Sequence, residues 1–509
     1  MNEMSAVDAH GVGFIRGAAT VGRVLSWFFR ISFLKFAKFG PVAVLVVSAA
    51  HGAEFKAIDP FERIRQPKPV AVPDKKPPKE QKEQKEPEAP ASRFPAQLTR
   101  PAQASPEPAE PAPEVKPIAK SESKPDAKSQ PAVRVTGRLL ADIRSISKSQ
   151  ADESLPGITL FDVRRARIDV RGAMPPNIKH KVSFDLVETV KVKDAYIDVA
   201  SDEAEDLKLR AGQFQTAIPG ENVESSLNYE FIEGSTLGSA LTGGYDRGLS
   251  VMGNQFDKRF FYSVAATNGT GARRPDANKS MEYILQFQAL PFSSKDEGLH
   301  VWAGASYSTS KRESSVKETL ELLPETESAF SLFKVELPND KPYSRSRLSV
   351  DAKLLYQSLT LAAEYLAGDY TYEQKVAVTG GYAMVGYFLT GEQRSVSEGF
   401  FDRQSVIDPV TSATGKGAWE LAFRYSWFNV GDNFFQDDGL YDGWKMLDDT
   451  KNARSGTAQT YAVNWYPTKQ TRLMLNWVRT ATLNYDTESE ILIPFKKEST
   501  WLLRGQIEF

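Results

Sequence analysis

The chain has no cysteine among its 509 residues, so disulfides, thiolate metal sites and cysteine nucleophiles are excluded together. Export without a redox staple is compatible with that absence. Charge of one sign is also missing: 63 Lys and Arg against 65 Asp and Glu leave a formal net charge of −2, and nucleic acid is not an expected partner. Long apolar runs are scarce. A mean hydropathy of −0.39 is too polar for a bundle of membrane helices, each of which needs about 20 apolar residues. A transmembrane β-barrel survives this exclusion, because half of each strand faces a polar lumen. Histidine is sparse, with only His180 and His300 beyond the N-terminal region. No nucleophile with a positioned base stands out, no acidic or histidine cluster has transition-metal spacing, and the Asn268-Gly269-Thr270-Gly271 piece lacks the strand-to-helix setting of a phosphate cradle. Catalytic residues, metal ligands and cofactors are therefore not expected, and the chain does not read as an enzyme.

Three segments of different composition follow one another. Arg16, Arg23, Arg30, Lys35 and Lys38 precede an apolar run from Phe39 to Ala50, and small residues follow at Gly52 and Ala53. Residues 1–53 read as a secretory signal peptide, whose apolar core of roughly 12 residues is short for a membrane span. Residues 54–132 hold 17 of the 30 prolines, set among Ala, Lys and Glu. Such a composition cannot bury a core, so a disordered periplasmic linker is expected, reaching on the order of 200 Å at about 3.1 Å per residue. A plain spacer is the simplest role, and a tether to cell wall or a periplasmic partner is the other.

From Val133 to Phe509 apolar residues recur at every second position, the signature of strands wetted on one face. Ala166, Ile168 and Val170 alternate with Arg165, Arg167, Asp169 and Arg171; Trp419, Leu421, Phe423, Tyr425 and Trp427 alternate with Glu420, Arg424 and Ser426. In the last segment Trp501, Leu503, Ile507 and the terminal Phe509 share one face, and Arg504, Gln506 and Glu508 the other. About 16 such segments in 377 residues fit an even-numbered, all-β transmembrane barrel with strands of about ten residues. A soluble β-sandwich would also alternate, but aromatic residues gather near the strand ends on the apolar face, as membrane girdles require. Long connections run from Thr216 to Tyr245 and from Lys311 to Ser344; such stretches are expected as external loops, the first with the option of folding into the lumen.

Parity assigns the lumen-facing cations. They are Arg134, Arg138, Arg144, Arg165, Arg167 and Arg171 on the first strands, then Lys208 and Arg210. Guanidinium suits an anion path because it stays charged and offers forked donors to oxyanions. The competing reading pairs these side chains with Asp142, Asp169, Asp185, Asp194 and Asp198 as a structural lining. The Thr216 to Tyr245 loop carries Glu221, Glu224, Glu230 and Glu233 and no Lys or Arg, so as a constriction it would oppose anion passage.

Several strings together resemble the outer-membrane porin O and P family of phosphate- and polyphosphate-selective porins. They are Arg164-Arg165-Ala166-Arg167 with Gly172, Lys193-Asp194-Ala195-Tyr196, Leu209-Arg210-Ala211-Gly212-Gln213-Phe214, Gly386-Tyr387-Phe388-Leu389-Thr390-Gly391-Glu392, and Ala418-Trp419-Glu420-Leu421 with Arg424-Tyr425-Ser426. The resemblance spans residues 133–509 and implies a 16-stranded trimeric porin with an inward-folded third loop and basic residues along the pore. The expectation is a channel in the outer membrane of a Gram-negative bacterium, in contact with its lipid, passing small hydrophilic solutes or anions, with phosphate among them. The rival is an occluded barrel that anchors the Pro-rich arm.

Overall fold

The structure is a computed structural model and describes residues 132–146, 158–174, 177–201, 206–218, 220–272, 280–312, 318–326, 331–337, 342–372, 375–411, 414–435, 452–486 and 491–509. The expected signal peptide, 1–53, and the expected linker up to residue 131 lie outside the described residues. Period-two alternation becomes strand throughout the rest. The barrel strands are β1 (Ala132–Ile146), β2 (Ile158–Met174), β3 (Ile178–Asp185), β4 (Lys191–Ala200), β5 (Leu207–Gln215), β6 (Tyr245–Gln255), β7 (Phe260–Thr267), β8 (Glu282–Ser294) and β9 (Leu299–Arg312). A short hairpin of β10 (Thr319–Leu322) and β11 (Phe333–Glu336) intervenes before β12 (Tyr343–Tyr356), β13 (Leu359–Thr371) and β14 (Lys375–Phe388). A second hairpin, β15 (Val396–Ser397) and β16 (Phe400–Phe401), precedes β17 (Ala418–Val430), β18 (Ser455–Thr468), β19 (Thr471–Asp486) and β20 (Ile491–Glu508).

Sixteen strands close antiparallel into one barrel, with β20 returning to β1 from Arg138 opposite Glu508 to Ile146 opposite Thr500. Closure leaves no unpaired strand edge, which is what allows a sheet to sit in hydrocarbon. At the seam Gly137 and Phe509 exchange backbone hydrogen bonds of 2.7 and 3.0 Å, and the Phe509 ring lies over the Gly137 Cα, where a Cβ would come within 2.2 Å of it. Outside, aromatics line the apolar face of β17 to β20. Phe423, Tyr461, Trp477 and Trp501 lie opposite one another on β17 to β20, with successive centroids 5.0, 5.4 and 5.6 Å apart.

Both ends of the barrel sequence lie at the same rim, because the strand number is even. Six connections at that rim are two to six residues long. The seventh, between β14 and β17, has 29 residues including β15 and β16 and turns into the barrel. Its turn needs Gly399, whose φ is +85° and whose Cβ would stand 2.3 Å from Gln288 Oε1 on the wall.

Candidate functional site

The loop between β5 and β6 lies inside the barrel, since it touches strands from all round the wall. Its base is pinched by the Thr216 amide donating to the Gly244 carbonyl at 2.8 Å, so the intervening residues form a compact Ω-shaped insert with short helices α1 (Gly220–Val223) and α2 (Thr236–Leu241). Its apolar residues choose the side on which it rests. Leu237 and Leu241 of α2 pack with Leu320, Leu322, Leu332 and Phe333 of the β10–β11 hairpin; Phe231 packs with Trp302, Tyr382 and Phe401; Ile232 packs with Met474, Val478 and Leu502. The β10–β11 hairpin, expected as an external loop, thus folds inward as well. Apolar residues at alternate positions of both its strands give it an inner face that water would not cover.

The four glutamates are the loop's fastenings. Glu221 pairs with Arg424 at 3.0 Å, Glu224 with Lys353 at 3.0 Å, and Glu230 with Arg394 at 2.8 Å. Glu233 bridges Arg164 at 2.9 Å and Arg504 at 2.8 Å, and Arg504 in turn forks onto Asp142 at 2.7 Å through each of two nitrogens. All four carboxylates are buried, so each takes a cation from a different part of the wall rather than standing as free negative charge. Burial raises the Glu233 carboxyl, but the Arg164 and Arg504 guanidiniums outweigh it and hold the group well below the usual carboxylate range. At Glu224 burial wins over the Lys353 ammonium and pushes the carboxyl up to about 7.

The other inserted segments are pinned in the same way. Glu325, in the β10–β11 turn, meets Arg424 at 2.6 Å and accepts from Thr460 at 2.7 Å, and Thr326 donates to Glu498 at 2.6 Å. From the opposite rim, Lys353 donates to the Gly399 carbonyl and Asn254 to Glu398, both at 2.7 Å. The apolar contacts of the three segments are mostly with the wall from β9 to β20, and their polar fastenings reach round to β2 and β6 as well.

The opposite wall, β1 to β5, carries the eight cations singled out by parity. Arg138 meets Asp169 at 3.3 Å, Arg144 meets Asp162 at 3.1 Å, Arg167 meets Asp185 at 3.2 Å and Arg171 meets Asp169 at 3.5 Å. Arg210 forks onto Asp198 at 2.7 and 2.8 Å and lies 3.7 Å from the Tyr196 ring centroid, so it is held from two sides. Arg134 and Lys208 make no ion pair with a carboxylate among the described residues, and Arg165 lies in the field of Glu233 without a direct ion pair to it. Water reaches this wall more readily than the other: the Arg138 and Arg171 side chains are 12% and 56% exposed, those of Arg394 and Arg424 only 1% and 2%. A β-bulge aims the basic run. Leu140 lies opposite Arg165 but Ala141 opposite Val163, so Arg164 is the extra residue and can join Arg165 in facing inward.

Parity singled out the eight wall cations and turned Arg504 inward, but it did not mark Arg164, Lys353, Arg394 and Arg424 as holders of the loop. The alternation around Lys353 and Arg424 was the available signal for two of them. Arg394 sits in a connection, where parity says nothing. Among the described residues no group of three His, Cys, Asp or Glu is placed to hold a metal ion.

The family model described as phosphate-selective porin O and P matches residues 133–492, from β1 into β20. The chain belongs to this porin family. It is 24% identical over 422 residues to an uncharacterised protein of Caulobacter vibrioides, covering 76% of each chain. Among solved structures, the trimer form of OmpT of Vibrio cholerae is similar, at 12% identity, a TM-score of 0.47 and coverage of 74% of this chain and 99% of that one. The anion-selective porin from Comamonas acidovorans is also similar, at 8% identity and a TM-score of 0.44, covering 75% of this chain and all of that one. As a porin O and P member with a closed transmembrane barrel, the protein is an outer-membrane channel, and the fold argues for passage of solutes rather than catalysis.

Proposed function

We propose that this porin passes small hydrophilic anions, with phosphate among them, along the β1 to β5 wall, and that the inserted loop sets the narrow point of that path. One observation carries the reading: every glutamate of the loop is matched by a buried cation, while Arg134 and Lys208 on the facing wall make no ion pair with a carboxylate among the described residues and Arg165 only shares the field of Glu233 with Arg164 and Arg504. The sequence alone favoured weak anion preference, because the loop's charge was counted as free. Paired, that charge no longer cancels the wall. Fixed charge acts most strongly where the permeant ion sheds water and passes close to the wall, so positive charge that the loop carboxylates no longer cancel favours anions. The rim with short connections faces the periplasm in such barrels, and the Pro-rich composition of residues 54–132 supports a periplasmic spacer that follows a cleaved signal peptide of residues 1–53. The working unit is a homotrimer. The test is the zero-current potential in a KCl gradient across a planar bilayer. Anion selectivity that weakens in Arg165→Gln and Lys208→Gln supports the reading; a cation-selective channel overturns it.

A further inference from the structure

We propose that the outer face of β18 to β20, just beyond its external aromatic belt, binds the phosphate headgroup of a lipid in the outer leaflet of the membrane. The observation is a pair of cations that point out of the barrel. Arg479 on β19 continues the outward row of Leu473, Leu475 and Trp477, and Lys497 on β20 continues that of Ile507, Leu503, Trp501 and Ser499; both are exposed. They are diagonal neighbours, since Arg479 lies opposite Ser499 and Lys497 opposite Ala481. Side chains so related stand about 7–8 Å apart. Among the described residues no carboxylate turns outward on β17 to β20, and neither cation makes an ion pair. Lys375, which also points outward on β14, is by contrast neutralised by Asp369 at 2.9 Å.

Their height selects the ligand. On β17 the outward row runs from Trp419, near the rim with short connections, to Trp427, about 20 Å higher at ~3.3 Å per residue and a tilt of about 40°. On β20 the same step leads from Phe509 to Trp501. Such pairs of aromatic levels mark the two edges of the apolar band. By the same rise Arg479 stands about 5 Å beyond Trp477 and Lys497 about 10 Å beyond Trp501, towards the long connections. That end is external in such barrels, so both cations lie at the level of the outer headgroups. A lone cation on the lipid face is destabilising within the hydrocarbon and tolerated at this level.

Two like charges side by side repel, and a phosphate between them replaces that repulsion with two attractions. Guanidinium offers forked donors to phosphate oxygens, and the ammonium adds a point charge. Arg479 is also steered into place. Its guanidinium lies 5.5 Å from the Trp477 ring centroid; Trp477 stacks on Trp501 at 5.6 Å and donates through its indole N–H to the Ser499 hydroxyl at 3.0 Å. Gln459, opposite Arg479 on β18, adds an amide at the same level. Below them Phe423, Tyr461, Trp477 and Trp501 form a continuous aromatic floor. A free anion would meet only the cations, whereas a lipid meets the cations with its phosphate and the floor with its acyl chains.

The test uses the full-length porin, purified in dodecyl maltoside and shown to be folded by its change in gel mobility on boiling. Diphosphorylated lipid A, a glucosamine lipid that carries its phosphates beside its acyl chains, is titrated in, and bound lipid is counted by native mass spectrometry. The double variant Arg479→Gln with Lys497→Gln should lose several-fold in bound fraction at a fixed lipid concentration, while Lys375→Gln should bind as the unmodified protein does. Equal binding by the double variant overturns the site. Equally strong binding of the same lipid stripped of its phosphates overturns it too, since the acyl chains alone would then account for the contact. Displacement of the lipid by an equimolar amount of inorganic phosphate overturns the lipid as the ligand.

Discussion

Replacing Glu233 by Gln isolates what a loop carboxylate does. In the native channel this group accepts from Arg164 at 2.9 and 3.1 Å and from Arg504 at 2.8 Å. A glutamine keeps the size and one acceptor oxygen but removes the charge. Hydrogen bonds to charged groups contribute about 1.5 to 3 kcal/mol each, and Arg164, being 22% exposed, regains part of its loss from water. Arg504 keeps Asp142. A net weakening of about 2 kcal/mol at the loop contact follows, raising the ratio of detached to seated loop about thirtyfold. The electrostatic effect is separate and has a fixed sign, because one negative charge leaves the lumen and the Arg164 guanidinium loses its carboxylate. Single channels in a planar bilayer should show more open-state noise, and the zero-current potential in a KCl gradient should move towards anions. The shift should shrink between 0.1 M and 1 M salt, as the Debye length falls from about 10 Å to about 3 Å. A shift towards cations, or unchanged noise and potential, would refute the view that Glu233 both seats the loop and neutralises the wall.

Three further outcomes are expected. Leu503→Arg puts a charge on the lipid face of β20 and should destabilise by about 2 to 4 kcal/mol near the midplane, read as folding yield into vesicles. Arg504→Leu should cost about 3 to 5 kcal/mol for a different reason, since it leaves Asp142 and part of Glu233 buried without their cation; stability close to wild type would show that the pair is dispensable. Lowering the pH from 8 to 6 should protonate Glu224, whose carboxyl titrates at about 7, so the lumen gains positive charge and anion preference rises; the same change should be smaller in Glu224→Gln, and equal responses would remove Glu224 from the explanation.

Strands were legible in the sequence because their cause is local. Alternation at 165–171, 419–427 and 501–509 follows from one wet and one apolar face, and the structure has strands at all three places. Arg504 was placed inward for the same reason. Its partners were not legible, since Asp142 lies 362 residues away and Glu233 271 residues away, and nothing local announces a contact made by barrel closure. The β10–β11 hairpin was misread as external because its length matched an exposed loop. Its apolar faces, Leu320 and Leu322 on one strand and Phe333 and Val335 on the other, only acquire meaning once α2 is known to lie beneath them. The 29-residue connection between β14 and β17 escaped for a similar reason, because short turns are the rule at that rim.

The two walls differ in how salt should act on them, and that difference divides seating from selectivity. Arg394 and Arg424 are almost wholly buried and tied to carboxylates, so mobile ions cannot enter between the partners and screening is weak. Arg138 and Arg171 stand in reach of water, so on the proposed path their fields act on the permeant ions. Raising salt should therefore reduce anion selectivity steadily while leaving the loop seated. Selectivity and open-state noise measured together from 0.1 M to 1 M KCl test this directly. Falling selectivity at constant noise is expected. If noise rose in step with the loss of selectivity, the buried pairs would be open to screening and the division between the walls would fail.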